Sequence, residues 1–254
     1  MIAGYKKSDL EKVLSLTGVA YDGTLKDLVQ QTQKNWIRPV GKERWELAPL
    51  HEDKRESLLP LFKKMGLVDE WKPSHSSYDH VLFLGAHFSR MIIRATTLRD
   101  LLQNPSFSSS VVYLSGCRIL APDEKKLWEE KGWGPSPERE IHFFPRLFEE
   151  KGVESKKMKC VEAAETKRSD GTTYRPTTVD TMKKWATTIL QEPGHIVVIS
   201  NQPFCHYQKM VAQTTLPACY DIEVVGAQAP EDTLVAVYLD TLARTLYQWA
   251  QTQK

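Results

Sequence analysis

Apolar positions along this chain follow two different rhythms. Before about residue 75 they recur at helical spacing over short stretches, which predicts helices over 8–16, 25–36 and 54–65. The third stops ahead of Gly66, a common helix terminator, and contains Pro60, which predicts a kink or a split. From Tyr78 onward, short continuous apolar runs alternate with longer amphipathic stretches. Runs at 81–84, 111–114, 158–161, 195–199 and 222–225 predict strands. Met91, Ala95, Leu98 and Leu102 form one helical face between them. Val235, Leu239, Leu242, Leu246 and Trp249 form another, in a helix expected to open at Pro230-Glu231-Asp232.

Strands that are apolar throughout and joined by helices belong in a parallel sheet covered on both faces. The predicted fold class is therefore α/β: a Rossmann-like three-layer sandwich with a mostly parallel sheet of about five strands, plus an N-terminal helical extension. The expected division is residues 1–75 as a helical extension packed on the core and residues 76–254 as the Rossmann-like domain.

Composition narrows the function classes. The chain has 254 residues, with 34 Lys+Arg against 32 Asp+Glu, so a net charge of +2 offers no global footprint for nucleic acid. The longest apolar runs are strand-sized, far short of the ~20 residues a spanning helix needs, so no membrane span is expected. The first residues, Met1-Ile2-Ala3-Gly4-Tyr5-Lys6-Lys7, lack the apolar core of a cleaved signal. These features point to a cytoplasmic protein; secretion without a cleaved signal would leave no mark in the chain. Cys117, Cys160, Cys205 and Cys219 show no CxxC or zinc spacing, and the seven histidines form no ligand-spaced set, so no metal site is predicted.

Ligands of open parallel sheets bind beyond the carboxyl ends of the strands. The first predicted strand ends in Leu84-Gly85-Ala86-His87, with Arg90 and Arg94 on the following helix. Gly85 permits close backbone approach, and His87, Arg90 and Arg94 share one helical face near an anion-favouring N-terminus. The plain alternative is a solvated basic face paired with acids such as Asp100. The second strand ends in Ser115-Gly116-Cys117-Arg118, where Arg118 suits bidentate anion binding. Cys117 is either a nucleophile or simply small and buried. A polar turn carries Arg175 next to Thr177 and Thr178, natural helix caps ahead of Asp180. The fourth strand ends in Ser200-Asn201-Gln202, neutral groups suited to a ribose, amide or amino-acid moiety. The adjacent Cys205-His206 pair is discounted, because neighbours on a helix point about 100° apart. The mixed-charge runs at 123–131 and 149–159 read as solvated helix faces. There is no GxGxxG, Walker A, GxSxG or HExxH pattern.

Four blocks in order resemble the YdcF/SanA-like proteins, a bacterial α/β family. They are Asp79-His80-Val81-Leu82-Phe83-Leu84-Gly85-Ala86 with its arginine-bearing helix, Val112-Tyr113-Leu114-Ser115-Gly116, Arg175-Pro176-Thr177-Thr178-Val179-Asp180-Thr181, and Ile196-Val197-Val198-Ile199-Ser200-Asn201-Gln202-Pro203. The resemblance spans roughly residues 78–249. It departs at Cys117, where the family has a second glycine, in a threonine-rich rather than asparagine-rich turn, and at Gln208 or Lys209, where the family has arginine. It implies a Rossmann-like fold with a polar pocket at the strand ends. It also implies an acidic residue ahead of the third strand, which Glu140 fits best, with Glu138 as the alternative. A soluble member of the family is associated with S-adenosylmethionine, membrane-anchored members with envelope functions.

The functional expectation is a small-molecule-binding protein or enzyme for a nucleotide-like or phosphorylated ligand, with S-adenosylmethionine as the cofactor the resemblance suggests. Gly85, His87, Arg90, Ser115, Gly116, Arg118, Arg175, Thr178 and Asn201 would bind it, and Glu140 would serve as general acid/base. The competing expectation is a non-catalytic interaction protein, one version being a secreted bacterial factor, whose N-terminal helices with Trp36, Trp45 and Trp71 meet a protein partner.

Overall fold

The computed structural model describes residues 1–39, 42, 44–104, 110–153, 158–167, 171, 173–174, 176–188 and 192–253, without the side chains of Trp45 and Thr173. In chain order its elements are α1 (Lys7–Leu16), α2 (Leu25–Trp36), α3 (Arg55–Lys64), β1 (His80–Leu84), α4 (Phe88–Leu102), β2 (Ser110–Gly116), α5 (Pro122–Glu130), α6 (Phe144–Glu150), β3 (Met158–Ala163), β4 (Thr166–Lys167), β5 (Thr173–Tyr174), α7 (Thr178–Thr188), β6 (His195–Asn201), α8 (Cys205–Thr215), β7 (Asp221–Ala227) and α9 (Val235–Gln251). All five sequence-predicted strands are present, and they form one all-parallel sheet in the order β3-β2-β1-β6-β7. The short β4–β5 pair is a separate antiparallel ribbon.

The chain divides into two compact units. The sheet unit comprises Trp71–Asn201 and Val211–Ala227. Strand side chains alternate between faces. On one face Val81, Phe83, Tyr113, Val197 and Ile199 share a core with Phe88 and Met91 of α4 and Leu147 and Phe148 of α6. Helix α7, with Met182 and Trp185 fully buried, packs against β2 and β3. The result is a Rossmann-like three-layer sandwich. Each central strand is apolar throughout because helices cover both of its faces.

The helical unit comprises Met1–Glu70, Gln202–Met210 and Gln228–Lys254. Its core joins Leu10 and Val13 of α1, Leu28 and Trp36 of α2, and Leu58 and Phe62 of α3 to Tyr238, Leu239, Leu242 and Leu246 of α9. This redraws the expected boundary at 75/76. The sequence pattern groups helix α9 with the sheet, but its apolar stripe is buried among α1–α3, with Phe62 stacked on Tyr238 at 4.7 Å.

Two local expectations also change. Helix α3 runs unbroken through Pro60. Pro60 and Glu56, whose carbonyl loses its usual helical donor, are both exposed, while Leu58, Leu61 and Phe62 anchor the opposite face. Helix α9 opens at Val235 rather than at Pro230, because its first N–H donates to the Glu52 carboxylate. The preceding residues are held outside the helix by Arg55, which donates to the carbonyls of Thr233 (2.9 Å) and Glu231. No helix among the described residues is long and apolar enough to cross a membrane. Trp36 is buried in the helical unit's core and Trp71 is half-buried; the Trp45 side chain lies outside the described ones.

Candidate functional site

Strand order reverses between β1 and β6, since β1 leads outward through β2 and β3 and β6 leads outward through β7. A crevice at such a switch point is where ligands of doubly wound sheets bind. Here β1 ends at Leu84, runs through Gly85 and Ala86, and enters α4 at the cap residue His87. Two turns into α4, the buried Arg94 bends back to the strand ends. Its guanidinium donates to the carbonyls of Leu84 (2.9 Å) and Gly85 (3.0 Å) and to Oδ1 of Asn201 at the end of β6 (2.8 Å). Arg94 is therefore a tie across the switch point and not part of a solvated basic face; Asp100 pairs with Arg99 instead. Beside Asn201, the fully buried hydroxyl of Ser200 has no hydrogen-bond partner among the described residues.

Next to this tie lies a buried ionic cluster. Arg118, two residues past β2, is 6 % exposed, with Glu124 at 0 % and Glu140 at 4 %. Arg118 Nε donates to Glu140 Oε2 at 2.9 Å, and its two terminal nitrogens grip both oxygens of Glu124, one of them at 2.7 Å. A further bond reaches the Ala86 carbonyl at 3.1 Å. Glu124 occupies the third position of α5 behind Pro122, so its carboxylate turns back to accept from the N–H of Ala121 (2.9 Å). It also accepts from the N–H of Phe88 at the start of α4 (2.7 Å). Glu140 opens a one-turn 3-10 segment before α6, and its Oε1 lies 3.3 Å from Ser115 Oγ and 3.4 Å from Tyr113 Oη.

Gly85 is required by this arrangement. A Cβ there would stand 1.9 Å from Glu140 Oε1 and 3.2 Å from the Leu114 carbonyl. Gly116, in contrast, would meet Pro176 only at ordinary contact distance. The glycine at the end of β1 therefore admits a carboxylate from the protein itself.

Burial alone would drive Arg118 toward neutrality, but the two glutamates outweigh it and hold its proton more firmly than usual. Burial likewise pushes Glu124 up, and the Arg118 guanidinium overcomes this and leaves it below the ordinary carboxylate range. Tyr113 is pushed well up, first by burial and then by the Glu140 charge, so its hydroxyl stays protonated. With Arg94 of the adjoining tie, two arginines and two carboxylates share this low-dielectric environment.

Around this cluster the other expected residues take varied places. His87 bridges Ser89 Oγ (Nδ1, 2.9 Å) and Asp123 Oδ2 (Nε2, 3.0 Å). Arg90 is half-buried in the first turn of α4. Thr178 opens α7 behind the cap Thr177, whose N–H and hydroxyl both donate to Asp180 at 2.7 Å. Burial would raise Asp180, yet these bonds outweigh it and hold the carboxyl below its usual range. Cys117 is buried, and burial pushes its thiol up, away from the thiolate a nucleophile needs. Glu138 is exposed, which leaves Glu140 as the buried acid of that pair. Arg175 lies outside the described residues.

The fold thus brings Gly85, Ser115, Arg118 and Glu140 into one cluster and Asn201 into the adjoining tie. Arg118 differs from the sequence expectation: its bidentate capacity is spent on Glu124. Glu124 lies inside the mixed-charge run 123–131, whose pattern predicts a solvated helix face, yet it is fully buried. The signal that identifies it is its third-position register behind Pro122, which aims the carboxylate back toward the strand ends. Comparison with protein-family models, with curated proteins and with solved structures gave no match for this chain.

Proposed function

We propose that the carboxyl edge of the sheet binds a small nucleoside-like molecule, neutral or cationic where it meets Glu140, and that Glu140 is the general acid/base where that molecule reacts. The observation that carries this reading is the state of Arg118. Its charge is matched by two buried glutamates and its bidentate face is taken by Glu124, so it is not the clamp that a phosphate would need there. The neutral groups Ser115, Ser200 and Asn201 suit a ribose or an amino-acid moiety. The N-terminal turn of α4, which carries Arg90, lies at the same edge and suits an anionic end of the ligand. S-adenosylmethionine, a sulfonium cation on a nucleoside, meets these requirements and agrees with the resemblance to the YdcF/SanA-like proteins.

A thermal-shift panel of S-adenosylmethionine, S-adenosylhomocysteine, adenosine, ATP, a sugar nucleotide and inorganic phosphate tests it. A ligand at 100 times its dissociation constant adds about 2.7 kcal/mol of stability. The expected result is stabilisation by one of the first three, lost in Glu140→Gln. Stabilisation by phosphate or ATP alone, or a nucleoside shift unchanged in Glu140→Gln, overturns the reading.

A further inference from the structure

At the amino edge of the same sheet the fold assembles a set of donors that no local sequence spacing announces. β6 begins with His195 and β7 with Asp221, and the parallel register places these two residues directly opposite one another. His195 Nδ1 lies 3.1 Å from Asp221 Oδ2. A third donor arrives from the segment ahead of β1: His75 Nε2 lies 3.3 Å from the same oxygen. The donor atoms of all three residues lie within 4.8 Å of one another.

The backbone that carries each donor is held independently. Glu223 sits two residues along β7 from Asp221, on the same face of the strand. Its carboxylate accepts from the N–H of Ser74 at 2.8 Å and from the hydroxyl of Tyr78, fixing the stretch on which His75 rides. The N–H of His195 donates to Asp79 Oδ2 at 2.8 Å, and the N–H of Asp79 returns a bond to the His195 carbonyl at 2.9 Å. Gly194 keeps room for this exchange, because a Cβ there would stand 2.3 Å from Asp79 Oδ2. The Asp221 N–H is taken by the Gly194 carbonyl at 3.1 Å.

We propose that His75, His195 and Asp221 form a binding site for a divalent transition metal, with Zn2+ as the best-matched ion. Two imidazoles and one carboxylate are a borderline-soft set that suits zinc rather than calcium or magnesium. Zinc bonds of about 2.0–2.2 Å in a tetrahedron set neighbouring donors about 3.3–3.6 Å apart. The two donor separations at Asp221 are already 3.3 and 3.1 Å, so only the two histidine rings, 4.7 Å apart between centroids, need to turn. The side chains are 39–60 % exposed, leaving them free to turn and leaving water access to a fourth position. The site is separate from the Glu140 edge, so its test does not depend on the nucleoside reading.

The test is titration of the chelator-stripped full chain with ZnCl2 by calorimetry, with the absorption spectrum of the Co2+ form as a second readout. The expected result is one ion per chain and a cobalt spectrum without thiolate charge transfer. Affinity falls at least about tenfold in His195→Ala, in Asp221→Asn and in His75→Ala, while the double variant Cys160→Ser/Cys219→Ser binds as the parent does. Metal-free melting curves of all the variants matching the parent establish that folding is intact. Absence of single-site binding, retention of affinity in the three donor variants, or loss of binding in the cysteine variant overturns the proposal.

Discussion

The two units each bury an ionic triad, and the triads are inverted copies in charge. In the sheet unit one cation, Arg118, lies between two carboxylates, and all three groups are almost wholly buried. In the helical unit one carboxylate, Asp240 of α9, lies between two cations. Arg44 Nε is 3.1 Å away and Arg244 Nε 2.9 Å, with the N–H of Arg38 at 3.2 Å from the other oxygen. Burial would raise Asp240, but the arginines outweigh it and lower it. The difference is access to water. Asp240 is fully buried, yet the side chains of Arg44 and Arg244 are 28 % and 26 % exposed and can discharge into solvent. A triad of the second kind is a staple on a helix. The first kind places charge where little water reaches it, at the carboxyl edge of the sheet, and it leaves the fold dependent on every member.

That contrast can be broken most directly by removing the central residue of each triad. Arg118→Ala strands two buried carboxylates and should cost about 3–5 kcal/mol in urea unfolding. Asp240→Asn, whose arginines reach solvent, should cost only about 1–2 kcal/mol. Equal losses would end the distinction.

Acid should separate the units next. In the helical unit His206 is pressed against the Ala3–Gly4 turn, with ring centroids 4.5 Å from Tyr5, and a Cβ on Gly4 would stand 2.7 Å from its Cε1. Burial, aided by Lys209, pushes its pKa down to about 4. Between the ordinary histidine value of about 6.5 and that value, the unfolded chain takes up a proton that the folded chain refuses. Stability is therefore complete above pH 6.5 and declines as the pH falls toward 4, by at most about 3 kcal/mol. Glu124 and Asp240 are held below their usual range, so their contributions stay whole down to the ordinary carboxylate range and fall away as the pH drops below it. Urea midpoints of the parent and His206→Asn should diverge across pH 6.5–4; parallel profiles would count against a neutral, buried ring.

The smallest effect sharpens the account of the sheet triad. Gly85→Ala should cost about 2 kcal/mol through its collision with Glu140. The same substitution should cost clearly less in a Glu140→Ala background. Additive losses in this double-mutant cycle would mean that the Leu114 carbonyl, and not the glutamate, sets the limit at residue 85.

Much of the fold was readable from patterning because each strand in a covered parallel sheet is a short apolar block, and such blocks have little else to become. The five blocks and the α2 boundaries follow from periodicity alone. The place of α9 does not: an apolar stripe of Val235, Leu239, Leu242 and Leu246 states that a face is buried but not against what. The site was legible as a location and less so as chemistry. Gly85, Ser115 and Asn201 stand at strand ends, where topology puts them. Whether Arg118 faces a ligand or another side chain depends on Glu124 and Glu140, which approach from separate segments. The histidines show the same gap, since His75 and His195 are 120 positions apart in the chain and meet only at Asp221, which strand register sets opposite His195.

One consequence of the division into units concerns the order in which the protein is made. In the helical unit α1–α3 are synthesised before the sheet unit, yet their apolar faces are completed by α9, which follows it in the chain. At about 5–20 residues per second, those faces wait on the order of ten seconds while the whole sheet unit is synthesised. During that interval Leu28, Leu58 and Phe62 are unprotected, and truncation before Gln228 would make the exposure permanent. Nascent chains of this protein should therefore engage chaperones through α1–α3, and release should coincide with the emergence of α9.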